Sequence, residues 1–184
     1  MTFLDGKERT FVALTDTTIV KHVHLDVGRF KIPADPAPAV VVQDNVAMLS
    51  FAQNGTESAY LRWVIPDDYA GGDLTIIIVW TNDGGVDDNG KNVKWQLNYQ
   101  VVTGPGASIE GDHANSPKTI NDTYTSDTKH LVHMTDPTTL AAADFAGDHG
   151  IVFRLTAVVA DPTQLTGEAL FLGAAINYTA YVNQ

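Results

Sequence analysis

Val93-Lys94-Trp95-Gln96-Leu97-Asn98-Tyr99-Gln100-Val101 is the stretch that decides the fold class. Its apolar residues fall at every second position, the period of a strand that buries one face and wets the other. Ile151, Phe153, Leu155, Ala157 and Val159 repeat that period, as do Leu170, Leu172, Ala174, Ile176 and Tyr178. Leu74-Thr75-Ile76-Ile77-Ile78-Val79-Trp80 is apolar on both faces apart from Thr75, which predicts a central strand covered on both sides. Val46–Gln53 and Thr56–Ile65 flank Asn54-Gly55, a dipeptide that tolerates positive φ. They are expected to pair as a hairpin, with Phe51 opposite Ser58 and Leu49 opposite Tyr60. Weaker strand signals lie at Lys118–Tyr124 and Lys129–Met134.

Towards the N-terminus, Thr10–Leu14 and Ile19–Leu25 read as short strands, and Ile32-Pro33-Ala34-Asp35-Pro36-Ala37-Pro38 as an extended, polyproline-like path. Residues 1–38 are therefore expected to form an N-terminal arm and proline-rich linker, and residues 39–184 an antiparallel jelly-roll-like β-sandwich. Such an arm would be dispensable for folding of the core. The one helical signal is Asp136-Pro137-Thr138-Thr139-Leu140-Ala141-Ala142-Ala143, with Thr135 or Asp136 as N-cap, so the all-β fold is expected to hold at most one short helix. Polar loops span Thr81–Asn92 and Thr103–Ser116.

A chain of 184 residues that is 44% apolar can build one sizeable core. Eleven basic residues against twenty-two acidic ones give a net charge of −11, the wrong sign for neutralising a phosphate backbone. The absence of cysteine removes disulfides, thiolate metal sites and cysteine nucleophiles together. Leu74–Trp80 is far too short to span a bilayer. Met1-Thr2-Phe3-Leu4-Asp5-Gly6-Lys7 lacks the shape of a signal peptide, so a protein made and kept in a reducing cytoplasm is expected.

Residues that could carry chemistry fall short of complete sites. In Asp83-Gly84-Gly85-Val86-Asp87-Asp88-Asn89-Gly90, aligning Gly90 with the glycine of a calcium loop puts Asp87 and Asn89 at ligand positions. Gly85 then stands where the first carboxylate belongs, and Gln96 where the closing glutamate belongs. His22 and His24, two apart, share one strand face but have no third ligand at a defined spacing. His130 and His133 would lie on opposite faces of a strand, and His113 and His149 follow Asp112 and Asp148 in loops. There is no Gly-x-Ser-x-Gly elbow and no phosphate-cradling glycine loop. Trp63, Trp80 and Trp95 read as core or interface packing, while Tyr60, Tyr69 and Tyr124 are the better candidates for exposed contacts. No catalytic residue, metal site or cofactor is expected.

Three segments together resemble the jelly-roll decoration or minor structural proteins of tailed bacteriophages. The first runs from Ile65-Pro66-Asp67-Asp68-Tyr69 through Trp80, and the second is Val93-Lys94-Trp95-Gln96-Leu97. The third is Phe153-Arg154-Leu155, Asp161-Pro162 and the final strand ending in Ile176-Asn177-Tyr178. The resemblance spans roughly residues 60–182; Leu165-Thr166-Gly167-Glu168 departs from the more charged stretch family members carry there. It implies a structural virion protein made in the host cytoplasm, a homotrimer that cements neighbouring major capsid subunits on the capsid surface. The competing expectations are a carbohydrate- or receptor-binding module of a tail or head fibre and a glycan-cleaving enzyme.

Overall fold

Strand-forming residues at alternate positions commit this chain to two antiparallel sheets packed face to face. The computed structural model describes residues 17–104, 115–141, 145–146, 149–160 and 162–182. Its strands are β1 (Thr18–Asp26), β2 (Ala39–Gln43), β3 (Val46–Phe51), β4 (Ala59–Val64), β5 (Leu74–Asn82) and β6 (Asn92–Val102). They continue as β7 (Asn115–Thr123), β8 (His133–Met134), β9 (Thr138–Leu140), β10 (Gly150–Val158) and β11 (Ala169–Tyr181). The larger sheet runs β2-β3-β11-β5, with β8 and β9 both on β5 and β1 on β11. The smaller sheet has the order β4-β10-β6-β7. The fold is an all-β, antiparallel jelly-roll sandwich, and among the described residues the only helical elements are two short 3₁₀ turns, Val27–Arg29 and Gly85–Asp88.

The core lies between the sheets and is aromatic at its centre. Trp95 of β6 sits 5.6 Å from Phe51 of β3 and 6.1 Å from Phe171 of β11, ring centroid to ring centroid, in edge-on contacts that favour the π quadrupoles. Trp80, Trp95, Phe51 and Phe171 are all completely buried. The alternation read from residues 93–101 is realised: Val93, Trp95, Leu97 and Tyr99 face the core, and Lys94, Gln96 and Gln100 are half-buried on the outer face.

Several expectations need correction. The Asn54-Gly55 hairpin does not form, because β3 and β4 belong to different sheets: β3 pairs with β2 and β11, and β4 pairs with β10. Residues 52–58 instead cross between the layers. Gly55 does take positive φ (79°), but its amide donates to Ala157 O, and Asn54 Oδ1 accepts from the Thr56 amide. Separating the strands lets Leu49 and Phe51 close the core from one side and Leu61 and Trp63 from the other. The tight hairpin lies one strand earlier, at Asp44-Asn45 (φ 47° and 69°), with Gln43 and Val46 paired across it.

β5 is central but not covered on both sides, since Thr75, Ile77 and Val79 are half-exposed on the outer face. The expected helix is replaced by β9, in which Thr138 and Thr139 pair with β5 and Leu140 is fully buried opposite Leu74. β-branched threonines fit the pleat better than a helix, and burial of Leu140 completes the choice. The Lys129–Met134 strand shrinks to His133–Met134, with His130 at φ 61° in a turn. Within the span expected as an arm, Thr18–Asp26 forms β1, paired residue for residue with Tyr181–Gly173 of β11. A Cβ on Gly173 would stand 2.6 Å from the Leu25 carbonyl oxygen, so glycine there permits that close approach. Thr10–Leu14, most of the Thr103–Ser116 loop, Asp112, His113, Asp148 and Asp161 lie outside the described residues.

Candidate functional site

Strand alternation fixes which side chains can meet a ligand, and it removes most of the candidate aromatics. Trp80 and Trp95 are sealed in the core, and Trp63 is 8% exposed. Tyr69 and Tyr124, expected as exposed contacts, are buried as well: Tyr69 packs near Tyr178, and Tyr124 stacks with Trp80 and His133. Tyr60 alone of the three is half-exposed, on the outer face of the smaller sheet.

The Asp83–Gly90 loop is organised around Asp88, a residue the calcium-loop alignment does not use. Its completely buried carboxylate accepts from the Asn82 side-chain amide (2.8 Å) and from the backbone amides of Thr166 (2.6 Å) and Gly167 (3.0 Å). Lys91 Nζ lies 3.5 Å away. Burial alone would raise the carboxyl's pKa, but the hydrogen bonds from Thr166 and Gly167, with Lys91 nearby, bring it below the ordinary value. With both oxygens engaged by protein donors, Asp88 ties the β5–β6 loop to the one before β11. Asp83 adds a bond from its carboxylate to the Glu168 amide.

His22 and His24 do share the outer face of β1. His22 Nδ1 is 2.7 Å from Asn177 Oδ1, and the Asn177 amide donates on to Thr75 Oγ1. This polar row crosses β1, β11 and β5. Among the described residues no three His, Asp or Glu side chains converge as metal ligands. His133 is held between Trp80 and Tyr124, with ring centroids 5.3 and 4.6 Å away.

The outer face of the smaller sheet is the surface with unmet polar demand. Register places Tyr60 (β4), Arg154 (β10) and Asn98 (β6) in one cross-strand row, and Arg62, Val152 and Gln100 in the next. Lys31 extends the first row beyond β4 through reciprocal backbone bonds with Tyr60. Asn98 is only 6% exposed, yet among the described residues its Oδ1 has no hydrogen-bond partner, and neither does the buried Nε of its neighbour Arg154. Buried polar atoms are seldom left unpaired, and exceptions mark sites or missing partners. The pairing of β6 with β7 is irregular between Leu97 and Tyr99, so Asn98 sits at a break in the ladder of a kind that re-aims side chains. At the far end, Lys94 and Asn121 lead into an open polar cleft of about 570 Å³ lined also by Asn92, Asp122, Thr123 and Asp136. Asp122 turns inward there and accepts from the Trp80 indole (2.7 Å).

Sequence reasoning marked residues 94, 96, 98 and 100 as the wet side of a strand but singled out none of them, because nothing local says which strands become neighbours. A second surface, on the larger sheet, is apolar. Among the described residues edge strand β2 pairs only with β3, and it exposes Val40 (60%) and Val42 (63%), with Val46 of β3 (48%) beside them.

No family model matches the chain, and no curated protein does. Several solved structures share the architecture. A family 35 carbohydrate-binding module from Cellvibrio japonicus Abf62 is 10% identical, with a TM-score of 0.48 over 89% of this chain and 99% of that one. The CBM36-1 domain of a multidomain xylanase from the hindgut metagenome of Trinervitermes trinervoides is 10% identical, with a TM-score of 0.45 over 85% and 96%. The structure of infectious bursal disease virus Gx strain covers all of this chain and 37% of its own, at 7% identity and a TM-score of 0.40. These likenesses are of architecture only.

Proposed function

We propose that this chain is a non-catalytic carbohydrate-binding module whose ligand lies across the outer face of the smaller sheet. The observation that carries this reading is the Tyr60–Arg154–Asn98 row, in which Arg154 Nε and Asn98 Oδ1 have no partner among the described residues. Hydroxyl groups both donate and accept, so one saccharide can satisfy both. Tyr60 offers a half-exposed ring beside them, and the side-chain amides of Gln96 and Gln100 supply further polar groups on the same face. A glycan array followed by titration of the strongest hit tests the proposal. Asn98→Ala and Arg154→Ala are each expected to weaken binding about tenfold, the size of a lost hydrogen bond to a desolvated or charged partner. A blank array, or variants that bind as the parent does, would overturn it.

A second reading is favoured by the valine edge of β2. An uncovered apolar edge strand is a template for pairing with another chain. In this reading the module is a building block of a virion shell, a decoration protein binding major capsid subunits, and a second copy of the chain covers β2. The resemblance to phage decoration proteins sets the expected copy number at three. Sedimentation of the parent and of Val42→Lys is the test. A parent trimer that Val42→Lys dissociates supports it, and a parent that stays monomeric at high concentration sinks it.

A further inference from the structure

We infer that the ligand of the smaller sheet is an anionic polysaccharide, one that presents carboxylate or sulfate groups; this rests on the carbohydrate reading above and narrows it. The chain as a whole carries a net charge of −11, so a cluster of cations on one sheet face is not what its composition leads one to expect. Within β4, β6, β7 and β10 the only acidic residue is Asp122, which accepts from the Trp80 indole and lines the cleft at the Lys94 end, away from Arg62 and Arg154. The outward positions hold Arg62 on β4, Arg154 on β10 and Lys94 on β6, and Lys31 sits level with Tyr60 beside them. The acidic surplus is in the connections, for example at Asp67, Asp68, Asp73, Asp83, Asp87 and Asp127. Arg62, Arg154 and Lys31 thus form a cationic patch on one sheet face of an otherwise acidic chain.

The chemistry of that face discriminates between neutral and charged sugars. A guanidinium binds a carboxylate or sulfate through two parallel N–H bonds, about twice as strong as neutral ones. Arg154 is half-buried on the sheet face, and Arg62, two positions along β4 from Tyr60, is exposed. Row spacing of about 4.8 Å puts Lys31 and Asn98 about 14 Å apart across the sheet. That is an extended platform, suited to a chain of sugars rather than one. Asn98 Oδ1, an acceptor, complements the hydroxyls that a charged sugar still carries.

The experiment compares polygalacturonate with its fully methyl-esterified form, which keeps the sugar and removes the charge. Polygalacturonate, and dextran sulfate as the sulfate arm, should bind at least about tenfold more tightly than the ester and than plain dextran, with affinity falling as salt is raised. Arg62→Gln should cost most of that advantage while leaving any binding of the ester unchanged, and Arg154→Gln should weaken binding of the acid more than that of the ester. Lys129→Gln, on the β7–β8 connection, should change nothing, and unchanged thermal unfolding shows each variant folded. Equal binding of acid and ester would overturn the inference and leave the carbohydrate reading standing, whereas failure of every polysaccharide, charged or neutral, would remove both. Equally tight retention of poly-glutamate would also overturn it, by making the face a site for acidic polypeptide.

Discussion

Asp88 shows how one buried charge can be structural. Its oxygens take hydrogen bonds from Asn82, Thr166 and Gly167, so its removal leaves three donors without their acceptor, the Asn82 amide in the buried interior. Asp88→Ala is expected to cost roughly 2–4 kcal/mol of stability, measured by chemical denaturation. The same bonds give stability a dependence on acid. The folded carboxyl titrates below its ordinary value of 3.8, so its contribution is complete above that pH and is lost as the pH falls through the lower folded value. Asp68, lowered chiefly by its hydrogen bond with Lys21, acts in the same direction. Melting temperatures of the parent should therefore drop steeply below about pH 4, and those of Asp88→Asn less steeply. Parallel curves would show that Asp88 is not a source of the acid sensitivity. The sequence marked this loop as polar and ligand-like; it could not mark Asp88 over Asp87, because Thr166 and Gly167 lie far along the chain.

At the scale of elements, turns and pairings were legible in unequal measure. Alternation at residues 93–101 and 151–159 correctly indicated β6 and β10, because a half-buried strand writes its period directly into its side chains. The Asn54-Gly55 signal misled, since a residue pair that permits positive φ marks a sharp bend without saying whether the strands stay together. Asp44-Asn45 makes the real two-residue hairpin, with both residues at positive φ. Asn45→Gly should therefore stabilise the protein by up to about 1 kcal/mol, and Asn45→Val should cost about 1–2 kcal/mol through the left-handed penalty of a β-branched side chain. Urea unfolding of the two variants, moving in opposite directions, checks the assignment; a shift of the same sign in both would refute it.

For the whole molecule, the decisive fact is where β1 goes. It pairs along nine residues of β11 and buries Leu25, so the sheet contains a strand from the first 38 residues. Deletion of residues 1–38 is thus expected to lower the melting temperature by well over 10 °C or to prevent folding. At about 2–4 °C per kcal/mol for a domain of this size, such a shift needs roughly 3–5 kcal/mol, which loss of a core leucine together with a strand's pairing supplies. Thermal unfolding by circular dichroism checks this, and an unperturbed melt of the deletion variant would restore a dispensable arm.

What the sequence determined by itself was the all-β class, the core faces of β6 and β10, and the incompleteness of the calcium, histidine and nucleophile motifs. Those follow from local pattern, since the period of apolar residues and the spacing of ligands are both written along the chain. On β11 a bulge between Phe171 and Gly173 turns Phe171 rather than Leu172 into the core. Only the tertiary structure decided which strands lie side by side. That choice separated β3 from β4, sealed Tyr69 and Tyr124 in the interior, and brought Arg154 beside Asn98 from 56 residues away. The physical reason is that pairing between distant strands is selected by burial of both sheets' apolar faces at once, a condition on the whole chain that no short window contains.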